Sequence, residues 1–336
     1  MEYVTDISRE EYESFLAIHP EVNFLQSWQW GETHETLGDA VLRSCLRQNG
    51  QIVAVWTGIV KNARRGRYLE VPGGPVMDWS DDKLAAEVIK HLKTEAKAQK
   101  CVFVRLRPQV IDSETERQRF ASLGLRRASF HLHAEHTNIL DVQTDEEALL
   151  ANMRRQTRYE VRRVAKRGVE IHHQTPTKAD IDEFYDLQQE TAHRHNFVQS
   201  PREFFYALVE KFGEDVQLYR ATKDGKTLNL ALVIHAGEEA DYYEAASSLD
   251  ARKEPGAYGI VWQAIQVAKS RGQIRFNFWG IAYTNDPHHR YAGVTTFKRG
   301  FGGEDVAYIP AHDIVIRPTY LKTWLIETIR KKRRKL

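Results

Sequence analysis

The chain has 336 residues, of which 42% are hydrophobic and 28% charged, and its formal net charge is only +2. These are the fractions of an ordinary globular protein with room for about two domains, and the charge balance excludes a polycation, so any nucleic-acid contact must come from local basic clusters. Residues 1–6 lack the basic-then-apolar layout of a signal peptide, and no apolar run approaches the ~18 residues of a membrane span. Cys45 and Cys101, each alone in an apolar strand-like stretch, read as free buried thiols, so a cytoplasmic location is expected.

In chain order, residues 8–18 read as a helix. A second helix-like stretch follows Phe24-Leu25-Gln26-Ser27 and stops at Leu37-Gly38. Strands over 41–47 and 52–61 are joined by Asn49-Gly50, a hairpin signal. Residues 68–71 run as a strand into Pro72-Gly73-Gly74-Pro75. Residues 81–99 place Leu84, Ala85, Val88, Ile89 and Leu92 at helical spacing. A strand over 101–106, a helix over 114–123 and a strand region over 129–141 complete the first half. In that last region, His131-x-His133-x-x-His136 lacks the cysteine or acidic neighbours that complete a metal shell, so no metal is expected.

The second half repeats the order. Helices over 181–195 and 201–212 precede strands over 216–223 and 227–236, split by Asp224-Gly225 as the counterpart of Asn49-Gly50. A strand over 240–247, a loop with Pro255-Gly256, a helix over 257–271 and a strand over 274–278 follow. A polar loop then leads into Thr295-Thr296-Phe297-Lys298-Arg299-Gly300-Phe301-Gly302-Gly303-Glu304, read as a cationic turn, and a last helix covers 319–330. Helices, hairpin, strand, Gly/Pro loop, helix and strand thus occur twice, which predicts a duplicated α/β architecture with one sheet per half.

Two basic segments stand out. Residues 153–168 carry seven cations against Glu160 and, preceded by Asp145-Glu146-Glu147-Ala148-Leu149, read as one capped amphipathic helix ending at Gly168. Arg154, Arg158 and Arg162 share a face that Arg155 and Arg163 widen, an arrangement suited to phosphate. The second, Arg330-Lys331-Lys332-Arg333-Arg334-Lys335, reads as a frayed tail, with contact to RNA or anionic lipid as the alternative. No Ser-His-Asp, Cys-His or P-loop pattern is present, and the glycines near 73 and 256 are weak counterparts of an acyl-CoA pyrophosphate loop.

Taken together, several segments resemble the FemABX family. They are Phe24-Leu25-Gln26-Ser27 with Trp30-Gly31, Gly73-Gly74-Pro75-Val76, Arg158-Tyr159-Glu160-Val161-Arg162-Arg163 with Gly168-Val169, residues 241–247, Phe278-Trp279-Gly280-Ile281, and residues 296–303. The resemblance implies an α/β (α+β) fold of two tandem GNAT-like domains flanking a cleft, without a helical-hairpin arm. It divides the chain at 1–145 and 146–316, with residues 317–336 returning to the first domain. It also implies aminoacyl transfer from aminoacyl-tRNA to an amine on a lipid-linked or UDP-linked peptidoglycan-precursor stem peptide, by a monomer that touches the inner membrane surface and uses no cofactor.

Carried over by position, Lys298 and Phe297 are the expected catalytic pair. Trp30, Arg107, Tyr243, Trp279 and Arg299 are expected at the substrates, and Arg154, Arg155, Arg158, Arg162 and Arg163 at tRNA. Arg107 stands where one branch carries a carboxylate, which argues against a protein carboxylate base there. Glu32-Thr33-His34 and Val198-Gln199-Ser200-Pro201 lack the basic residues of members that use a nucleotide-linked acceptor. An N-acyltransferase using acyl-CoA or acyl carrier protein, and a non-catalytic tRNA-binding descendant, are the rival readings.

Overall fold

The computed structural model describes residues 1–19, 21–63, 66–129, 133–195 and 198–334. They form two compact α/β units, one of Met1–Glu135 with Ala307–Leu336 and one of His136–Val306. Residues 136–145 therefore belong to the second unit and 307–316 to the first, across the boundaries expected from the sequence.

The first unit opens with β1 (Glu2–Val4) and α1 (Arg9–Ala17), whose Ser8–Glu11 capping box satisfies the first free N–H groups. Helix α2 (Trp28–Thr36) is capped by Ser27, whose side chain accepts from Trp30 N. Strands β2 (Ala40–Gln48) and β3 (Gln51–Ala63) turn at Asn49 and Gly50, with φ of 53° and 81°, the left-handed pair a two-residue hairpin demands. Strand β4 (Gly66–Gly73) pairs with the end of β3 and then leaves it, while β5 (Val76–Met77) pairs with the beginning of β3.

Gln26 fills the gap. Its Nε2 donates to the carbonyls of Pro72 (2.6 Å) and Thr57 (3.3 Å), and its Oε1 accepts from Thr57 N at 2.9 Å. A side-chain amide thus stands in for a strand between β3 and the Gly-Gly-Pro loop. A Cβ on Gly74 would lie 2.6 Å from this amide, which accounts for a glycine there.

Helix α3 (Asp82–Ala98) crosses from β4 to the parallel strand β6 (Phe103–Pro108), burying Leu84, Ala85, Val88, Ile89 and Leu92 against Trp56, Leu69, Val71 and Leu106. Helix α4 (Glu114–Ser122) and β7 (Arg126–Arg127) follow.

In the second unit, β8 (His136–Asp141), α5 (Glu146–Asn152), α6 (Arg155–Arg163) and β9 (Glu170–Gln174) precede α7 (Lys178–His195) and α8 (Arg202–Phe212). Phe184 of α7 meets Phe205 of α8 edge-on at 5.3 Å, so these helices pack together beside the sheet instead of extending as an arm. Strands β10 (Val216–Lys223) and β11 (Lys226–Ala236) turn at Asp224-Gly225, with φ of 50° and 72°, and β12 (Glu239–Ser247) follows. Helix α9 (Gly256–Ser270) crosses to the parallel strand β13 (Arg275–Gly280), and α10 (Ala292–Arg299) and β14 (Glu304–Ala307) close the unit. Strand β15 (His312–Val315) and α11 (Tyr320–Arg334) lie in the first unit.

The strand orders are β1-β2-β3-β4-β6-β15-β7 and β14-β8-β13-β12-β11-β10-β9. The runs β2-β3-β4-β6 and β10-β11-β12-β13 correspond, each with a parallel last pair spanned by a helix. Beyond that pair the first sheet is completed by β15, which comes after the second unit in sequence, and the second by β8, which comes before the rest of its unit. A buried ion triad secures the late arrival. Arg105 of β6 donates to Asp313 of β15 (Nε, 2.8 Å) and Glu327 of α11 (Nη2, 2.8 Å), and Tyr320 OH donates to Asp313 at 2.9 Å.

Candidate active site

The site is built where β12, β13 and α10 come together. Along β12 the register slips, with Leu232 opposite Glu244 but Val233 opposite Tyr242, so Tyr243 is an inserted bulge residue and the strand turns its following side chains. Strand β13 breaks at a matching level. Trp279 adopts a φ of 60°, uncommon for a bulky residue, and its N–H donates to Asn277 Oδ1 at 2.8 Å. Asn277 is itself anchored through Nδ2 to Glu239 Oε1 at 3.0 Å, and Thr137 Oγ1 donates to its Oδ1. This network directs the Gly280 carbonyl toward α10, where it accepts from Lys298 Nζ at 2.8 Å.

Residues 292–299 are helical, so Phe297 and Lys298 lie in the last turn of a helix and not in the turn expected from the glycines. The glycines serve close approach. A Cβ on Gly300 would stand 2.3 Å from Thr157 Oγ1, and one on Gly303, whose φ is +83°, 2.6 Å from the Ile139 carbonyl. Phe297 packs edge-on against Tyr258 (5.0 Å) and Phe301 (5.3 Å), anchoring the helix in the core, and its neighbour Lys298 is held with only 8% of its surface exposed.

Burial lowers the Lys298 pKa to about 7, with Glu244 opposing the shift. Glu244, on the half-buried part of β12, is raised to about 7 by burial, opposed by Lys298 and by the Gln188 amide that donates to it at 2.8 Å. A lysine lowered by burial and a carboxyl raised by burial therefore interact electrostatically, each opposing the other's shift. Such a pair can donate a hydrogen bond to a developing oxyanion and accept a proton from an amine at neutral pH. Below them Asp241 is wholly buried, and burial and then Glu239 raise its pKa well above the usual carboxylate range.

Glu244 was absent from the sequence-based set. The strand carries three acids, Glu239, Asp241 and Glu244, and nothing local distinguishes Glu244 from the other two. Tyr243 and Trp279 meet edge-on at 6.1 Å where β12 bulges and β13 breaks, beside this pair in the fold. Arg299 is engaged elsewhere, donating to Asn285 (2.7 Å) and pairing with Asp305 (2.5 Å), and so pins the 281–291 loop.

Two expected substrate contacts lie in the first unit. Trp30 is 2% exposed and packs edge-on against Phe24 (5.3 Å) and His34 (5.1 Å), as a core residue does. Arg107 is also buried. Its Nη1 donates to Gln109 at 2.7 Å, its guanidinium lies 5.6 Å over the Tyr308 ring, and burial lowers its pKa.

The basic segment is not one helix. It breaks at Met153-Arg154, where the Arg154 N–H leaves the helical ladder and donates to the Gly300 carbonyl at 2.9 Å, tying the start of α6 to the end of α10. Arg158 turns back to donate to the Ala151 carbonyl at 2.8 Å, capping α5, and Arg163 pairs with Glu160. Arg154, Arg155 and Gln156 line an open hollow with Tyr159, which is 56% exposed, and Arg162 is exposed further along. Among the five arginines the outward set is therefore Arg154, Arg155 and Arg162.

His131 lies outside the described residues, while His133 stands 3.5 Å from Glu70. Among the described residues no group of three or more His, Cys, Asp or Glu is placed to hold a metal, and no helix is long and apolar enough to cross a membrane.

Residues 7–228 and 220–331 match the FemAB family. The chain belongs to the FemAB family. Its relatives include the lipid II:glycine glycyltransferase of Staphylococcus epidermidis, 21% identical over 88% of this chain and 89% of that protein. The enzyme of the same name from Staphylococcus aureus is 24% identical over 68% of this chain and 56% of its own length. Among solved structures, the crystal structure of FemX superposes with a TM-score of 0.84 at 20% identity, covering 97% of this chain and all of that one. A tandem GNAT protein from the clavulanic acid biosynthesis pathway gives 0.58 at 11% identity, covering 94% and 99%. The fold is thus a pair of GNAT-like domains, and membership of the FemAB family makes the chain an aminoacyltransferase.

Proposed function

We propose that this FemAB-family protein transfers an amino acid from aminoacyl-tRNA to an amine on the stem peptide of a peptidoglycan precursor. The acceptor nitrogen attacks the ester carbonyl carbon, a C–N bond forms, the C–O bond to the tRNA ribose breaks, and the proton lost by the amine is balanced by one gained by the ribose oxygen. The observation that carries this reading is the buried Lys298, held at 2.8 Å by the Gly280 carbonyl and interacting electrostatically with the half-buried Glu244. Lys298 donates to the ester oxygen as negative charge develops there, and Glu244 accepts the amine proton.

Phe297 acts by fixing the helix turn that carries Lys298. Tyr243 and Trp279 offer aromatic surface beside the reacting groups. Arg154, Arg155 and Arg162, with the exposed ring of Tyr159 among them, supply phosphate contacts and a stacking platform for RNA. The names of the staphylococcal relatives favour a lipid-linked acceptor and glycine as the transferred residue.

The test is incubation with total charged tRNA and a mixture of lipid-linked and UDP-linked precursors, read by mass spectrometry. One precursor should gain the mass of one aminoacyl residue, and Glu244→Gln should lower the rate with a changed pH profile. No mass gain above a no-enzyme control, or an unaltered profile in Glu244→Gln, refutes the reading.

A further inference from the structure

Helix α11 has two unlike faces. One is built into the first unit. Tyr320 is 1% exposed and meets Phe103 edge-on at 5.4 Å, and Glu327 is held by Arg105. On the other face Leu321, Leu325 and Ile329 are 59%, 54% and 43% exposed. Their four-residue spacing aligns them in a single stripe along the helix. Three large aliphatic side chains in a row are a contiguous apolar patch, unlike the scattered exposed residues of an ordinary surface.

The stripe has a charged border. Lys322 is exposed beside it, Arg330 and Lys331 are exposed at its far end, and the sequence continues Lys332-Arg333-Arg334-Lys335. Aliphatic residues on one side of a helix with cations clustered alongside and beyond them form the pattern of a helix that lies in a lipid–water boundary. Cations near an anionic bilayer contribute roughly 1 kcal/mol each by charge attraction, and the aliphatic groups add apolar burial between headgroup and acyl chain.

We propose that this face of α11 docks the protein peripherally on an anionic lipid bilayer. Leu321, Leu325 and Ile329 enter the boundary, and the exposed cations Lys322, Arg330 and Lys331 lie over lipid phosphates. Two other occupants fit less well. A second copy of the chain would bring two runs of cations together. RNA would satisfy the cations but leave the aliphatic stripe without a reward. Docking makes no use of Lys298 or Glu244, so it stands or falls separately from aminoacyl transfer.

The experiment is co-sedimentation of the full chain with vesicles of phosphatidylcholine containing about one-third phosphatidylglycerol, against phosphatidylcholine alone, at low salt and at about 0.5 M NaCl. The full chain is expected to sediment with the anionic vesicles and to be released by salt. Leu321→Ser/Leu325→Ser/Ile329→Ser should weaken partitioning by about tenfold or more while its urea midpoint stays that of the parent, because all three positions face outward. Arg330→Gln/Lys331→Gln, further from the packed face, should weaken binding to anionic vesicles and leave the small binding to neutral ones unchanged. The proposal is overturned if the parent stays in the supernatant with anionic vesicles at low salt, or if the triple variant binds as well as the parent. It is also overturned if light scattering shows a dimer that the triple variant dissolves without any vesicle binding.

Discussion

Lys298→Met separates function from stability. The ammonium is buried in the folded protein and hydrated in the unfolded chain, and burial moves its pKa from 10.5 to about 7. A displacement of ~3.5 units corresponds to ~5 kcal/mol of cost for keeping the charge in place at low pH. Methionine retains an unbranched chain of similar length without that charge. That figure already includes the opposing attraction of Glu244, so what stands against the gain is the lost hydrogen bond to the Gly280 carbonyl, about 1–3 kcal/mol. Near neutral pH the variant is therefore expected to be more stable than the parent by about 1–3 kcal/mol, and inactive in transfer.

The pH dependence gives a sharper test. Between the folded pKa near 7 and the unfolded value of 10.5, the unfolded chain holds a proton on Lys298 that the folded protein does not. Stability of the parent must therefore rise with pH through that window, with a slope of at most ~1.4 kcal/mol per unit, and the variant must lack this component. Glu244, raised to about 7, is mainly ionised in both states across the upper part of the window and adds little slope there. Urea unfolding followed by tryptophan fluorescence at about pH 7.5 and about pH 9 should show the parent gaining about 2 kcal/mol on the variant. A difference between the two proteins that does not change with pH, or a variant less stable at both values, refutes the account of Lys298 as a cation held at a cost.

Two further outcomes follow from the same geometry. Gln26→Leu removes the side-chain amide between β3 and the Pro72 carbonyl and strands three backbone groups, so the urea midpoint should fall by the equivalent of about 2–4 kcal/mol. Arg154→Gln/Arg155→Gln should reduce the slope of log affinity for tRNA against log salt by about 1.4, at ~0.7 per phosphate contact, whereas Arg158→Gln should mainly lower stability because Arg158 caps α5.

The parts legible in the sequence were those decided locally. Asn49-Gly50 and Asp224-Gly225 each sit in the left-handed conformation that their residue types favour, and the apolar spacing of α3 and α9 marks the faces that they bury. The parts that were not legible were decided by contacts distant in sequence. Three glycines in Gly300-Phe301-Gly302-Gly303 read as a turn, yet their absent Cβ atoms make room for Thr157 and Ile139, and Lys298 lies on the helix before them. The helical reading that opens at Asp145 runs unbroken through residue 154. Only the Gly300 carbonyl, which captures the Arg154 N–H, explains why the helix breaks there. Trp30 reads as a ligand contact by resemblance but is a core residue by packing. Glu244 becomes notable only once the one-residue slip opposite Leu232 and Val233 is known.

The way β8 and β15 complete the two sheets bears on how the chain is made. Residues 136–306 are continuous, so the second unit is synthesised in full before β15 and α11 of the first are added. The first unit must wait with the flank of β6 uncovered and Arg105 without its two carboxylate partners, a buried-cation defect in what is already translated. Although it begins first, it is the last to be finished. The Arg105–Asp313–Glu327 cluster acts as the latch that closes it, and a stop codon placed between residues 308 and 312 leaves the second unit whole and the first without its closing strand.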